Sequence, residues 1–176
     1  MKFIETQLAG ALIIEAEAVS DERGFFARTF CAREFTERGL ELPIAQCSTS
    51  FNRRRGTLRG MHYQGPPFEE AKLVRCTAGL IYDVILDLRP ASPSFRQWTA
   101  IELGAANRRM AYIPAGMAHG FQTLEDASEV FYQISQSYMP EYSRGVRWDD
   151  PLFGIRWPLA NPILSWRDRS YPNFAP

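Results

Sequence analysis

The chain has 176 residues, with 20 lysines and arginines against 20 aspartates and glutamates. Balanced charge excludes the basic field of a nucleic-acid binder and the acidic arm of a solvating tail, and no stretch approaches the roughly 18 apolar residues of a membrane span. Cys31, Cys47 and Cys76 are an odd number with no C-x-x-C pair, which argues against a disulfide framework or zinc knuckle and fits a reducing cytosol.

In chain order, the N-terminal run MKFIETQLAGALIIEAEAV is interrupted by Glu5, Glu15 and Glu17 and lacks a signal-peptide pattern, so a cytoplasmic location is expected. ALIIEAEAV and GFFARTF read as strands either side of the turn SDERG. CAREFTERG is the one credible helix, short and ended by Gly39. Then TLRGMHYQ, AKLVRCTAG, LIYDVILDLRP, RQWTAIELG, RMAYIP, HGFQTLE and EVFYQISQSYMP follow as candidate strands, punctuated by Gly79, Pro90, Asn107 and Pro114. From Trp148 onward the chain is rich in Pro and Trp and too apolar for a disordered tail. It reads as an irregular segment lying on the rest. The expected fold is all-β, a jelly-roll sandwich forming a single domain over 1–176. A chain of this size buries about 70% of its unfolded surface without staples.

Alternation assigns faces. On a regular strand through EVFYQISQSYMP, Tyr132 and Tyr138 point the same way. In LIYDVILDLR, Asp83 and Asp87 lie among Ile81 and Ile85, opposite the more apolar face of Leu80, Tyr82, Val84, Leu86 and Leu88. Lys72 shares a face with Val74 and Cys76, company that invites a lowered pKa or a partner. The two histidines are His62, in TLRGMHYQ, and His119, in PAGMAHGF, whose P-x-G-x-x-H pattern delivers a histidine at the start of a strand. Two histidines exclude a three-histidine metal site, and a site with one carboxylate would need a ligand from elsewhere.

The PAGMAHGF turn resembles the second half of the cupin signature, with HYQ standing where metal-binding cupins have an H-x-H pair. More specifically, SDERGFF, LRGMHYQ-PP, AKLVRCTAGLIYDVILDLR, SPSFRQW, IPAGMAHGFQTL, EVFY, WDDP-FGIRWP and LSWRD resemble in order and spacing the metal-free cupins of the RmlC type, the dTDP-4-dehydrorhamnose 3,5-epimerases. That resemblance, from about residue 3 to 172, implies an enzyme without metal or cofactor acting on a nucleotide-linked 4-keto-6-deoxyhexose. Members serve deoxysugar synthesis for surface polysaccharide or glycosylated natural products, and are homodimers that exchange N-terminal strands.

The implied chemistry suits the residues. A 4-ketone acidifies the C–H bonds at C3 and C5, and epimerisation needs a base, an acid on the opposite face and a positive group for the oxyanion. The resemblance assigns the base to His62, its orienting carboxylate to Asp168, the enolate stabiliser to Lys72 and the acid to Tyr132. Asp83 stays open as a rival for the carboxylate. Substrate contacts are implied at Arg23, Arg28, Cys47, Ser48, Thr49, Arg59, His119, Tyr138, Ser143 and Arg167.

Four of these depart from the family pattern. Arg28 and Ser143 replace glutamates, Ser48 replaces asparagine and Arg167 replaces lysine. The first three positions serve the nucleotide and the sugar, so the nucleotide is expected either to differ from dTDP or to be held by other groups. Two other function classes remain at this stage, a metal-dependent cupin isomerase or oxygenase and a non-catalytic sugar-nucleotide binding module.

Overall fold

The computed structural model describes residues 1–40 and 42–175, so the last residue of the C-terminal segment lies outside the described residues. Thirteen strands form in chain order: β1 (Lys2–Glu5), β2 (Leu12–Glu15), β3 (Ala18–Asp21), β4 (Gly24–Ala27), β5 (Gln46–Asn52), β6 (Leu58–Gln64), β7 (Lys72–Ala78), β8 (Leu80–Asp87), β9 (Trp98–Gly104), β10 (Arg109–Ile113), β11 (Met117–Thr123), β12 (Ser128–Ile134) and β13 (Ser143–Gly145). Two short helices, α1 (Ala32–Thr36) and α2 (Trp166–Ser170), and a 3₁₀ turn at Pro140–Tyr142 complete the described elements.

The strands make a six-stranded sheet, β1-β2-β10-β7-β12-β5, and a five-stranded sheet, β13-β6-β11-β8-β9, with β3-β4 apart as a hairpin. The two large sheets face each other across Val74, Cys76, Ala111, Ile113 and Val130 from one and Ile81, Ile85, Ile101, Leu103, Met117 and Phe121 from the other. This is the cupin-type jelly-roll sandwich expected.

Both outer faces are covered as well, which is why Leu73 beside Val74 and Leu86 beside Ile85 are all buried. Phe35 of α1 and Leu42 pack with Leu73, Met110 and Tyr112 on the outside of the six-stranded sheet. The C-terminal segment brings Phe153, Ile155, Trp157 and Phe174 onto Met61, Val84, Leu86 and Ala118 of the five-stranded sheet. Indole N–H groups fix that segment, Trp98 donating to the Phe153 carbonyl at 3.0 Å and Trp157 to the Trp148 carbonyl at 2.8 Å.

Four expectations change. ALIIEAEAV is two strands, because β2 pairs with β1 and β10 while β3 leaves the sheet to pair with β4. The C-terminal segment is not wholly irregular, and two α-helices form among the described residues. Ser165 caps α2 by accepting the Asp168 backbone N–H at 3.1 Å, an S-x-x-D start signal present in SWRD. EVFYQISQSYMP ends as a strand at Ile134, so alternation does not relate Tyr138 to Tyr132. QCSTSFN is a strand, β5. It is an edge strand with no apolar face, so it carries no hydrophobic alternation.

Candidate active site

β6 carries both Arg59 and His62, and strict alternation would send them to opposite faces. The β6–β11 pairing sets Arg59 opposite Phe121 and His62 opposite His119, so Gly60 and Met61 together face Gly120. This is a β-bulge. Gly60 sits at φ +133, and a Cβ there would lie 2.5 Å from the Gly120 Cα, a close approach of backbones that glycine alone permits. Directly paired residues point to the same side. The bulge therefore turns Arg59 and His62 together into the interior shared by Phe121 and His119.

Each histidine has its own carboxylate. His62 Nε2 lies 2.6 Å from Asp168 Oδ1, and His119 Nε2 lies 2.6 Å from Asp83 Oδ1. Asp168, on α2, is the partner of His62, and Asp83, fully buried on β8, is the partner of His119. Burial pushes the Asp168 carboxyl up. The hydrogen bond and charge of His62, with the Ser165 hydroxyl, outweigh it and hold the group below the usual carboxylate range.

The facing wall comes from the six-stranded sheet. Tyr132 pairs with Val74 on one side and Ser48 on the other, and Lys72 pairs with Ile134, itself opposite Gln46. These registers line Gln46, Ser48, Ser50, Lys72 and Tyr132 along the inner face. The Tyr132 ring is 6.0 Å from that of His119, nearly perpendicular to it. Burial pushes its hydroxyl well above the ordinary phenol range. Asp83 adds to this, while Arg59 and a hydrogen bond with Ser50 act against it. Lys72 Nζ is held 2.9 Å from Glu70 Oε1, both side chains being nearly buried.

The same register removes two sequence-predicted contacts. Cys47 and Thr49 pair with Gln133 and Phe131, on the outer face of the sheet, and do not reach the cleft. Their inner neighbours Gln46 and Ser50 do, and reading QCSTSFN as a strand would have found them. Glu70 and Tyr171 were also missed. Neither belongs to a quoted motif position, and their roles arise only through contacts with Lys72 and His62.

At the cleft's rim, Arg59 donates to Asn52 Oδ1 at 2.8 Å. Tyr138 reaches the site from the loop after β12, its backbone N–H donating to Gln46 Oε1 at 2.9 Å. Two of the departing positions meet here, Arg167 donating to Ser143 Oγ at 2.8 Å. Hydrogen bonding to Tyr138 raises the already high pKa of Arg167, and Tyr171 adds to it. Arg23 and Arg28 are elsewhere. Arg23 pairs with Asp21 within the β3–β4 hairpin, and Arg28 with Glu34 of α1 at 3.1 Å. Among the described residues no hydrogen bond or ion pair joins either to the cluster around His62.

An imidazole held by a carboxylate on one wall thus faces a buried phenol and an ammonium on the other, an arrangement suited to moving a proton across an sp³ carbon. A sequence-family model described as dTDP-4-dehydrorhamnose 3,5-epimerase matches residues 5–176. A dTDP-4-dehydrorhamnose 3,5-epimerase of Methanothermobacter thermautotrophicus is 45% identical over 97% of this chain and 92% of its own length. The crystal structure of the Bacillus anthracis dTDP-4-dehydrorhamnose 3,5-epimerase with TDP and PPi bound superposes with a TM-score of 0.95 at 38% identity, covering 98% of this chain and 99% of that one. A 3'-monoepimerase of Streptomyces bikiniensis in complex with dTDP-quinovose gives 0.90 at 33% identity, over 97% and 86%.

Proposed function

The chain belongs to the dTDP-4-dehydrorhamnose 3,5-epimerase family, and from that premise we propose how its residues carry the reaction. It is an epimerase, acting at C3, C5 or both of a nucleotide-linked 4-keto-6-deoxyhexose. His62, through the ring nitrogen that Asp168 does not engage, takes the proton next to the ketone. The C–H electron pair moves into the enolate, whose oxygen is stabilised by the Lys72 ammonium. Tyr132 returns a proton to the opposite face, for which burial keeps its hydroxyl protonated. The observation that carries this reading is that His62 and Tyr132 stand on facing sheets of one sandwich, so a sugar ring between them meets a base on one face and an acid on the other.

Arg59 and His119 are assigned to the sugar and diphosphate, with Ser48, Tyr138, Ser143 and Arg167 at the nucleotide-facing end. Guanidinium groups suit diphosphate through paired charge-assisted hydrogen bonds. The nucleotide is proposed to be dTDP, its base held by a set of groups that includes Ser143 and Arg167. A cytoplasmic homodimer with one domain per chain completes the reading.

Turnover of a dTDP-4-keto-6-deoxyhexose in deuterated water tests it. Deuterium is expected at C3, C5 or both, and the pattern separates mono- from di-epimerase. His62→Ala should lose at least about a thousandfold in exchange, in keeping with a general base. Tyr132→Phe should impair completed inversion more than the first loss of the proton. Undiminished exchange in His62→Ala refutes the base, and equal loss of both steps in Tyr132→Phe reduces that tyrosine to a sugar contact.

A further inference from the structure

Asp168 holds one nitrogen of His62, but a single hydrogen bond fixes a point and leaves the imidazole plane free to turn about it. The side chain of His62 keeps 40% of its exposure, so the strand walls do not complete the restraint. The Tyr171 ring does. Its centroid lies 5.9 Å from that of His62 with the planes at 65°, an edge-on contact.

The local fold makes room for that ring. Gly145 of β13 is the direct partner of His62 on β6, so a side chain there would point to the same side as the imidazole. A Cβ at Gly145 would lie 2.4 Å from two carbons of the Tyr171 ring, closer than non-bonded carbons approach. Two residues back on β13, Ser143 accepts from Arg167, whose guanidinium carbon lies 5.8 Å from the centre of the Tyr171 ring. Tyr171 is therefore clamped between Arg167 and His62 and seated on a glycine.

We propose that Tyr171 is a positioning residue that sets the plane of the His62 imidazole, with Gly145 as its seat. This rests on the reading of His62 as the base. A base aimed at a carbon-bound proton tolerates little error, since displacement by about 1 Å costs up to about a hundredfold in rate. Tyr171 acts through a ring contact, so phenylalanine should replace it.

Tyr171→Ala, Tyr171→Phe and Gly145→Ala decide the matter, read by C–H exchange kinetics, by the imidazole NMR resonances of His62 and by thermal unfolding. Tyr171→Ala should lose about 10–100-fold in kcat with little change in KM and no loss of cooperative unfolding, while Tyr171→Phe keeps the wild-type rate. Gly145→Ala should reproduce the kcat loss with the tyrosine still present, because it unseats the ring. The His62 resonance should keep its ring-current displacement in Tyr171→Phe and lose it in Tyr171→Ala. A Tyr171→Ala variant with wild-type kcat, or with an unmoved His62 resonance, overturns the proposal. So does a kcat loss that Tyr171→Phe shares. The resonance reads the contact without turnover, so a wild-type protein inert in exchange would overturn the epimerase reading alone.

Discussion

Lys72 and Glu70 show what a single contact can add to a site. Their charged ends are 2.9 Å apart with 9% and 11% side-chain exposure, so each removes the cost of burying the other. Taking away one member of such a pair costs about 3–5 kcal/mol, and because the ammonium borders a cleft that admits solvent, Glu70→Ala is expected near 3 kcal/mol. Glu70→Gln keeps an acceptor and should lose less. Urea unfolding of Glu70→Ala, Lys72→Met and the double variant measures this, and the double should be less destabilised than the sum of the singles. A neutral Glu70→Ala would show that the ammonium is solvated rather than paired. The apolar strand face around Lys72 was legible, and it invited either a lowered pKa or a partner. Which carboxylate answers was not legible, because Glu70 precedes the strand and its direction is set by the chain entering β7. Asp168 and Asp83 posed the same difficulty, and only the docking of α2 assigns one to each histidine.

At the scale of the element, β6 is where backbone geometry and chemistry meet. Arg59 and His62 lie three residues apart in a strand, and a site using both requires an irregularity between them. Gly60 was the only residue between them suited to supply it, and the bulge falls there. Alanine at Gly60 must carry a side chain at φ +133 against the Gly120 backbone, for which about 2–3 kcal/mol of destabilisation is expected from backbone strain. Relaxing the bulge also turns Arg59 or His62 away, so exchange should fall by about a hundredfold or more. Denaturant midpoints and deuterium exchange on Gly60→Ala test both, and wild-type exchange would mean that the bulge does not aim the base. Other elements were read less well for reasons that follow from their surroundings. β5 exposes one face and lends the other to the cleft, so no apolar period marks it. β2 and β3 look continuous in sequence because no glycine or proline parts them, and their separation is decided by pairing, β2 with β1 and β10 and β3 with β4. The strands buried on both faces, such as β7 and β8, were found because apolar runs bounded by glycine and proline need no alternation.

At the scale of the whole molecule, the β3–β4 hairpin stands apart from both large sheets of its own chain. Its two strands pair only with each other, and an isolated two-stranded hairpin is marginal in water. It presents Val19, Phe25 and Phe26 at 74%, 51% and 78% exposure, a patch expected to be covered. Arg23 and Arg28 sit on it or at its end, apart from the His62 cleft of their own chain, although the family resemblance assigns them to substrate. A second copy resolves both facts at once if each hairpin docks beside the partner's cleft, bringing the guanidinium of Arg23 to the diphosphate. Phe26→Asp should therefore turn a dimer into a monomer in sedimentation velocity and weaken dTDP binding by at least about tenfold, the scale of one lost charge-assisted contact or more. Arg23→Ala should weaken dTDP comparably while leaving the dimer intact, because its contact is with ligand rather than with the neighbouring subunit. Titrations with UDP, CDP and GDP alongside read the base preference that Arg28 would alter. A monomeric wild-type protein, or a Phe26→Asp monomer that binds dTDP undiminished, would place the whole site within one chain and leave the exposed hairpin without a catalytic role.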